Sequence, residues 1–203
     1  MEISLKAGPP GKLKSAARRA AGHLPTGLPP VLVFTDPERS AHPLDLASVI
    51  PPGWGLVYRH FGAAEAGALA EILAKLAKKR RFRLLIGADP ALARAVGADG
   101  VHWPERLMAK ARQAAPYFTL NTMSAHVPSA LYTPQPAWLS ARVLSTIFPS
   151  ASPSAGSALG AVRARMIAGN AACPVYGLGG VNADTAGRIA GSFGLAGVGV
   201  CPL

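Results

Sequence analysis

The chain has 203 residues, half of them hydrophobic, and sets 21 Lys and Arg against 10 Asp and Glu for a formal net charge of +11. That length and apolar content suit one substantial core and exclude disorder, and no apolar run approaches the roughly 18 residues of a membrane span. The opening residues Met1-Glu2-Ile3-Ser4-Leu5-Lys6 carry an early acid and lack the apolar stretch of a secretory signal, so a cytoplasmic location is expected.

The positive balance suits an anionic partner, either phosphorylated metabolites or nucleic acid. Only Lys78-Lys79-Arg80-Arg81 forms a basic run, and it closes a predicted helix, where cations offset the macrodipole. No aromatic residues interleave with it and no nucleic-acid motif is visible, which argues against a nucleic-acid partner. Cys173 and Cys201 are too few for a disulfide framework and are expected to be free thiols.

Residues 1–30 read as a basic arm rich in Pro and Gly around one helix, Leu13 to His23, ahead of a domain spanning 31–203. Val31 to Thr35 forms a continuous apolar strand stopped by Asp36-Pro37. A helix from Pro43 to Ile50, a strand from Trp54 to Arg59 and a helix from Ala64 to Lys79 follow, the last carrying Leu69, Ile72, Leu73 and Leu76 at helical spacing. The alternation continues with a strand Phe82–Ile86, a helix Pro90–Val96, a strand Gly100–Trp103, a helix Glu105–Ala115 and a strand Phe118–Met123. Ala130 to Ala137 is proline-rich and allows only a short helix before a sixth strand, Trp138–Leu144. A helix Leu159–Ala168, a strand Val175–Leu178, a helix Ala183–Ala190 and an eighth strand Gly197–Val200 complete the chain.

Strands and helices in strict alternation with short connections predict an α/β protein whose parallel sheet closes as a (β/α)8 TIM barrel. Gly97 and Gly194 both precede a strand and suit the left-handed position that ends a helix. An eighth helix is missing from the pattern, and the arm Leu13–His23, or another subunit, is expected to cover that gap. The strand-one turn Thr35-Asp36-Pro37 lacks the glycine fingerprint of a dinucleotide fold, which weighs against an open doubly wound sheet.

In such barrels the active site lies at the C-terminal ends of the strands, with phosphate commonly held after strands seven and eight. There Gly179-Gly180 meets Asn182, a candidate helix N-cap. Glycines without Cβ let backbone N–H groups approach a phosphate, although a tight turn alone also selects glycine. Asp36, Arg59, His102, Ser124, His126, Ser150, Ser152 and Cys201 fall at the same mouth. Arg59 seeks an anion, either a ligand or Asp36. For His102 the structural reading, packing against Trp103, is the stronger. No P-loop, catalytic triad or Cys/His metal spacing is present.

Val96-Gly97-Ala98-Asp99-Gly100-Val101-His102, Ser124-Ala125-His126, Ile147-Phe148-Pro149-Ser150 and Gly179-Gly180-Val181 together resemble successive landmarks of the thiamine phosphate synthase and TenI family, over Val31 to Cys201. The resemblance implies a role in thiamine biosynthesis and a barrel that binds a thiazole phosphate, a small phosphorylated heterocycle. Gly179, Gly180, Ser150 and Ser152, with the backbone at Val200 and Cys201, match its phosphate site. In the synthases a magnesium-bound pyrimidine pyrophosphate is the second substrate. Of the family's Gln-x-Arg-x-Lys only Arg59 remains, beside Val57 and Phe61; Gly87-Ala88 replaces Asn-Asp, Leu107 stands at the second metal carboxylate, and Pro153 replaces a lysine. Only Asp89 or Glu105 is near enough in sequence to substitute. Magnesium needs hard oxygen ligands, so no metal or other cofactor is assigned, and ordinary synthase transfer is not expected.

A second activity stays open. In TenI-type tautomerases the histidine of the Ser-x-His motif shuttles the proton that aromatises a thiazole carboxylate phosphate. That makes His126, with Ser124, the catalytic candidate, since an imidazole both takes and gives a proton near neutral pH. Synthase-like transferase, tautomerase and silent phosphate-ligand sensor all remain open, as does assembly into a homo-oligomer.

Overall fold

The computed structural model describes residues 10–152 and 155–199. Eight parallel strands close into a barrel in sequential order: β1 (Val31–Phe34), β2 (Gly55–Tyr58), β3 (Arg83–Gly87), β4 (Gly100–Trp103), β5 (Leu120–Ala125), β6 (Ala141–Ser145), β7 (Val175–Leu178) and β8 (Gly194–Val198). Closure runs through β1, whose Val31 to Phe34 pair with Leu195 to Val198 on one side while Leu32 to Phe34 pair with Gly55 to Val57 on the other. Side chains alternate across each strand, so two apolar sets form. Leu32, Phe34, Val57, Leu85, Leu120, Val143 and Ala196 fill the barrel. The larger set, with Val33, Leu56, Leu84, Val101, Trp103 and Met123, packs outward under the helices.

Among the described residues six α-helices flank the sheet: α1 (Pro10–His23), α2 (Pro43–Val49), α3 (Ala66–Arg80), α4 (Pro90–Val96), α5 (Met108–Ala114) and α6 (Ala161–Gly169). Asp89 caps α4 by accepting the Leu92 N–H at 2.9 Å, and Gly97 ends it in the left-handed region with φ of 65°. In α3 the basic run falls in the last turn, as its sequence position suggests, and Arg81 takes the left-handed cap.

Four expected elements differ. Ala183–Ala190 forms only a 3-10 turn over Ala186–Arg188, because Asn182 and Thr185 spend their side chains on local backbone and Gly187 weakens a helix. Pro128–Leu131 is likewise a 3-10 turn, with Pro134 and Pro136 beyond it. The expected helix Glu105–Ala115 breaks into a 3-10 turn, Glu105–Leu107, followed by α5. β8 starts at Gly194, not Gly197, since pairing with β1 sets its register. Gly194 is therefore a strand residue and not a helix terminator: a Cβ there would meet the Tyr176 ring at 2.4 Å. The expected end of that strand, Val200, lies outside the described residues.

α1 packs against β8 and the 186–188 turn. Its Leu13, Ala16, Ala17 and Ala20, spaced at three and four residues, are buried in the outer core. Exposed polar contacts from Lys12 to Asp184 and from Arg19 to the Gly187 carbonyl edge this seam and add little to stability. No helix among the described residues is long and apolar enough to cross a membrane. Leu13→Ala is expected to destabilise the fold by about 2–3 kcal/mol and lower Tm by about 5–10 °C. Chemical and thermal unfolding measure this; an unchanged Tm would mean that α1 is not part of the cooperative core.

Candidate functional site

Two cavities open at the C-terminal mouth of the barrel. The smaller, of about 210 Å³, lies between the ends of β6, β7 and β8 and is lined by Arg39, Arg59, Ser145, Thr146, Ser150, Ser152, Gly179, Gly180 and Val198, among others. The larger, of about 550 Å³, lies over β2 to β5, with Arg59, His60, Phe61, Ala88, Asp89, His102, Arg106, Lys110 and Ser124 in its wall. Arg59 borders both.

At the smaller cavity the paired glycines are demanded by packing. Gly179 and Gly180 have φ of 94° and 61°. A Cβ on Gly179 would sit 2.6 Å from Thr146 Cγ2, and one on Gly180 2.4 Å from the Pro149 carbonyl oxygen. Glycine identity therefore says nothing by itself about a ligand. The N–H groups say more: those of Gly179, Gly180 and Val181 find no acceptor among the described residues. The next ones are satisfied, Asn182 N–H donating to Thr185 Oγ1 and the Asp184 and Thr185 N–H groups to Asn182 Oδ1. Consecutive unpaired N–H groups beside hydroxyls are the elements of an anion nest. Ser150 and Ser152 lie in the same wall, the Ser152 N–H donating to Ser150 Oγ at 3.3 Å. Val200 and Cys201, the other expected phosphate contacts, lie outside the described residues.

Arg59 is held from two directions. Its Nε donates to the Thr35 carbonyl at 2.7 Å and its Nη2 to Asp36 Oδ2 at 3.1 Å, so the anion it meets in the protein is Asp36. Arg39 donates to the same carboxylate oxygen. Burial alone raises the Asp36 pKa, but the Arg39 hydrogen bond, the Glu38 N–H and the two guanidinium charges outweigh it and hold the carboxyl below its ordinary value. Burial lowers the Arg59 pKa against the opposing pull of Asp36.

His102 corrects an expectation. It does not pack on Trp103, because adjacent residues of β4 face opposite sides. Trp103 points outward and donates to Asn121 Oδ1 at 3.1 Å, while His102 lies inside, edge-on to Phe34 with ring centroids 4.9 Å apart. Its Nδ1 is 2.9 Å from Thr122 Oγ1 and its Nε2 3.1 Å from Ser124 Oγ. Burial, with Arg59 and His126 adding to it, pushes its pKa from 6.5 down to about 3. The neutral ring then donates to one hydroxyl and accepts from the other.

His126 is exposed and lines neither cavity; its Nδ1 is 3.3 Å from Ser145 Oγ, which does line the smaller one. Ser124, from the same motif, faces the larger cavity. Of the motif, only Ser124 lines a cavity, and His126 meets the smaller one through Ser145 alone. Residues that sequence reasoning passed over are Arg39, Ser145 and Thr146 at the smaller cavity, and His60, Arg106 and Lys110 at the larger. Ser145-Thr146 was detectable as a hydroxyl pair immediately after the sixth strand. Arg142 was also missed: although charged, it is buried within β6, bonded to Gln135 Oε1 at 2.8 Å and paired with Glu105 at 3.5 Å.

A model of the thiamine monophosphate synthase (TMP-TENI) family matches residues 50–202. The chain belongs to that family. Among solved structures, thiamine phosphate pyrophosphorylase from Pyrococcus furiosus shares the fold, with a TM-score of 0.71 and 19% identity over 85% of each chain. No curated protein sequence matches.

The residues present do not fit the magnesium that the family implies. Ala88 and Leu107 carry no oxygen ligand, Asp89 is spent on the α4 cap and on His60 at 3.4 Å, and Glu105 is directed to buried Arg142. Among the described residues no group of three or more His, Cys, Asp or Glu is placed to share a metal ion.

His102 links this site to pH. A histidine kept neutral when folded but free to protonate when unfolded contributes stability that is complete above its unfolded pKa of 6.5 and is lost as pH falls from there toward 3. Urea unfolding should show about 2 kcal/mol less stability near pH 5 than near pH 7.5. His102→Gln should flatten that slope; an equal slope in the variant would locate the effect elsewhere.

Proposed function

We propose that this protein binds a thiazole monophosphate in the smaller cavity and acts in thiamine biosynthesis without ordinary magnesium-pyrophosphate transfer. The observation that supports this reading is the set of three consecutive N–H groups, Gly179, Gly180 and Val181, that find no acceptor among the described residues, in a wall shared with Ser150 and Ser152. Amide and hydroxyl donors suffice for one phosphate, and Arg39 and Arg59 add positive charge beside it. The volume suits a small heterocycle and little more. Val200 and Cys201 are assigned backbone contacts with the same phosphate on the family pattern.

One observation favours catalysis by His126: its ring reaches Ser145, and Ser145 borders the cavity. Thiazole tautomerisation removes a proton from one position and returns a proton to another, with no net redox change and no metal. His126 takes and returns that proton, with the Ser145 hydroxyl between ring and ligand. Ser124 lies in the other cavity and is assigned no part in this step.

Thermal shift of the full chain with thiazole phosphate should raise Tm, whereas RNA should not. Ser150→Ala with Ser152→Ala should weaken thiazole phosphate binding about tenfold, the scale expected for losing two hydroxyl hydrogen bonds. His126→Ala should leave binding intact and abolish proton exchange into the thiazole carboxylate phosphate, followed by NMR. Stabilisation by RNA but not by thiazole phosphate would refute the metabolic reading. Unchanged exchange in His126→Ala would leave a binder without this chemistry.

A further inference from the structure

Charge is sorted between the two ends of the barrel. Every acid among the described residues except Glu71 and Asp99 lies between the end of a strand and the first turn of the next helix or 3-10 turn, on the side of the mouth. Asp99 alone stands at the opposite end, and it is already spent: Arg83 Nη1 reaches its Oδ1 at 2.7 Å, and the Leu84 N–H donates to its Oδ2 at 2.9 Å. Beside it the last turn of α3 and its cap deliver Lys78, Lys79, Arg80 and Arg81, which form no ion pair among the described residues. The C-terminus of a helix presents about half a negative charge, so these cations exceed what the macrodipole offsets.

Two local features distinguish this cluster from a plain solvated face. Arg81 has φ of 61°, the left-handed cap position that glycine usually fills, so a long cation is held there against backbone preference. Arg80 Nε is buried and has no hydrogen-bond acceptor among the described residues. Between the last turns of α3 and the Gly97–Asp99 turn lies a groove of about 240 Å³. Exposed Lys78, Arg81 and Arg83 form its rim, and buried Ala77, Phe82 and Leu84 lie beneath. An apolar floor under a cationic rim matches the methylene stem and carboxylate of an acidic side chain.

We propose that this end of the barrel is a docking surface for an acidic segment of a partner protein, with a carboxylate seated between Lys78 and Arg81. A guanidinium takes carboxylate oxygens in pairs and an ammonium acts as a point charge, so the two fix both register and charge. A nucleic acid fits less well: Phe82, the one ring in the groove wall among the described residues, is 3% exposed and gives a base nothing to stack on. A second copy of the chain fits less well too, since it brings its own net charge of +11 and keeps its acids at its mouth. The inference does not depend on what the mouth binds, because the groove lies at the other end of the strands.

Fluorescence anisotropy of the full chain with a labelled oligoglutamate peptide tests it. The peptide is expected to bind and to be released as salt rises. Arg81→Gly relaxes the left-handed cap, so Tm should hold or rise; combined with Lys78→Gln it should weaken the peptide about tenfold. Arg163→Gln with Arg165→Gln removes the same charge from exposed positions on α6 and should change affinity by no more than about twofold. Thiazole phosphate affinity should be the same in both double variants. Failure of the peptide to bind would overturn the proposal. A loss no greater in the α3 variant than in the α6 variant would overturn it by reducing the effect to net charge. Tighter binding of an oligouridine of equal charge would overturn it by making the partner a nucleic acid.

Discussion

Closure of the sheet through β1 is the constraint on which the rest of the molecule depends. Because β1 pairs with both β2 and β8, the barrel has no free edge, and strands of four to six residues leave room inside for few side chains. The N-terminal end is sealed by Tyr176, whose buried hydroxyl donates to the Pro29 carbonyl at 2.6 Å. Apolar residues occupy the interior above it, so polar groups collect at the other end. His102, Ser124 and Ser145 are held there by strand register, not by mobile loops. A site built on paired strands keeps its geometry without a ligand, which lowers the cost of binding.

At that mouth the acids are committed. Asp36 is shared by Arg39 and Arg59, Asp89 by a helix cap and His60, and Glu105 by the buried guanidinium of Arg142. With 21 basic residues against 10 acidic ones, this commitment leaves positive charge facing the openings. Those carboxylates are structural in their roles: removing Glu105 would leave Arg142 buried with less countercharge, a costlier change than losing a surface pair. Carboxylates committed in this way are not available to share a metal ion.

The barrel was legible because buried parallel strands are short continuous apolar runs, and Val31–Phe34, Gly100–Trp103 and Val175–Leu178 announce themselves that way. Where small residues replaced branched ones the boundary was lost: Gly194-Leu195-Ala196 reads as a helix end, yet it is the strand that closes the sheet. Gly179, Gly180, Ser150 and Ser152 could be placed at one mouth because each follows a strand. The separation into two cavities could not, since it depends on which strand ends border each opening, and His126, two residues from Ser124, lines neither. Arg106 and Lys110 escaped notice because a helical spacing of four is also what any solvated helix face shows.

His102 and His126 sit in opposite environments, one buried and one exposed. His102 belongs to β4 and faces inward, where burial removes its charge and two hydroxyls satisfy both ring nitrogens. It fixes the orientation of Ser124 and is poorly suited to accept a proton during a reaction. His126 lies just beyond β5, exposed, with one hydroxyl contact to the strand beside it. A positive charge on His126 would also disfavour protonation of His102, so the exposed ring helps to keep the buried one neutral. The division follows from where the strand ends, and it places the exposed ring beside Ser145, which lines the smaller cavity.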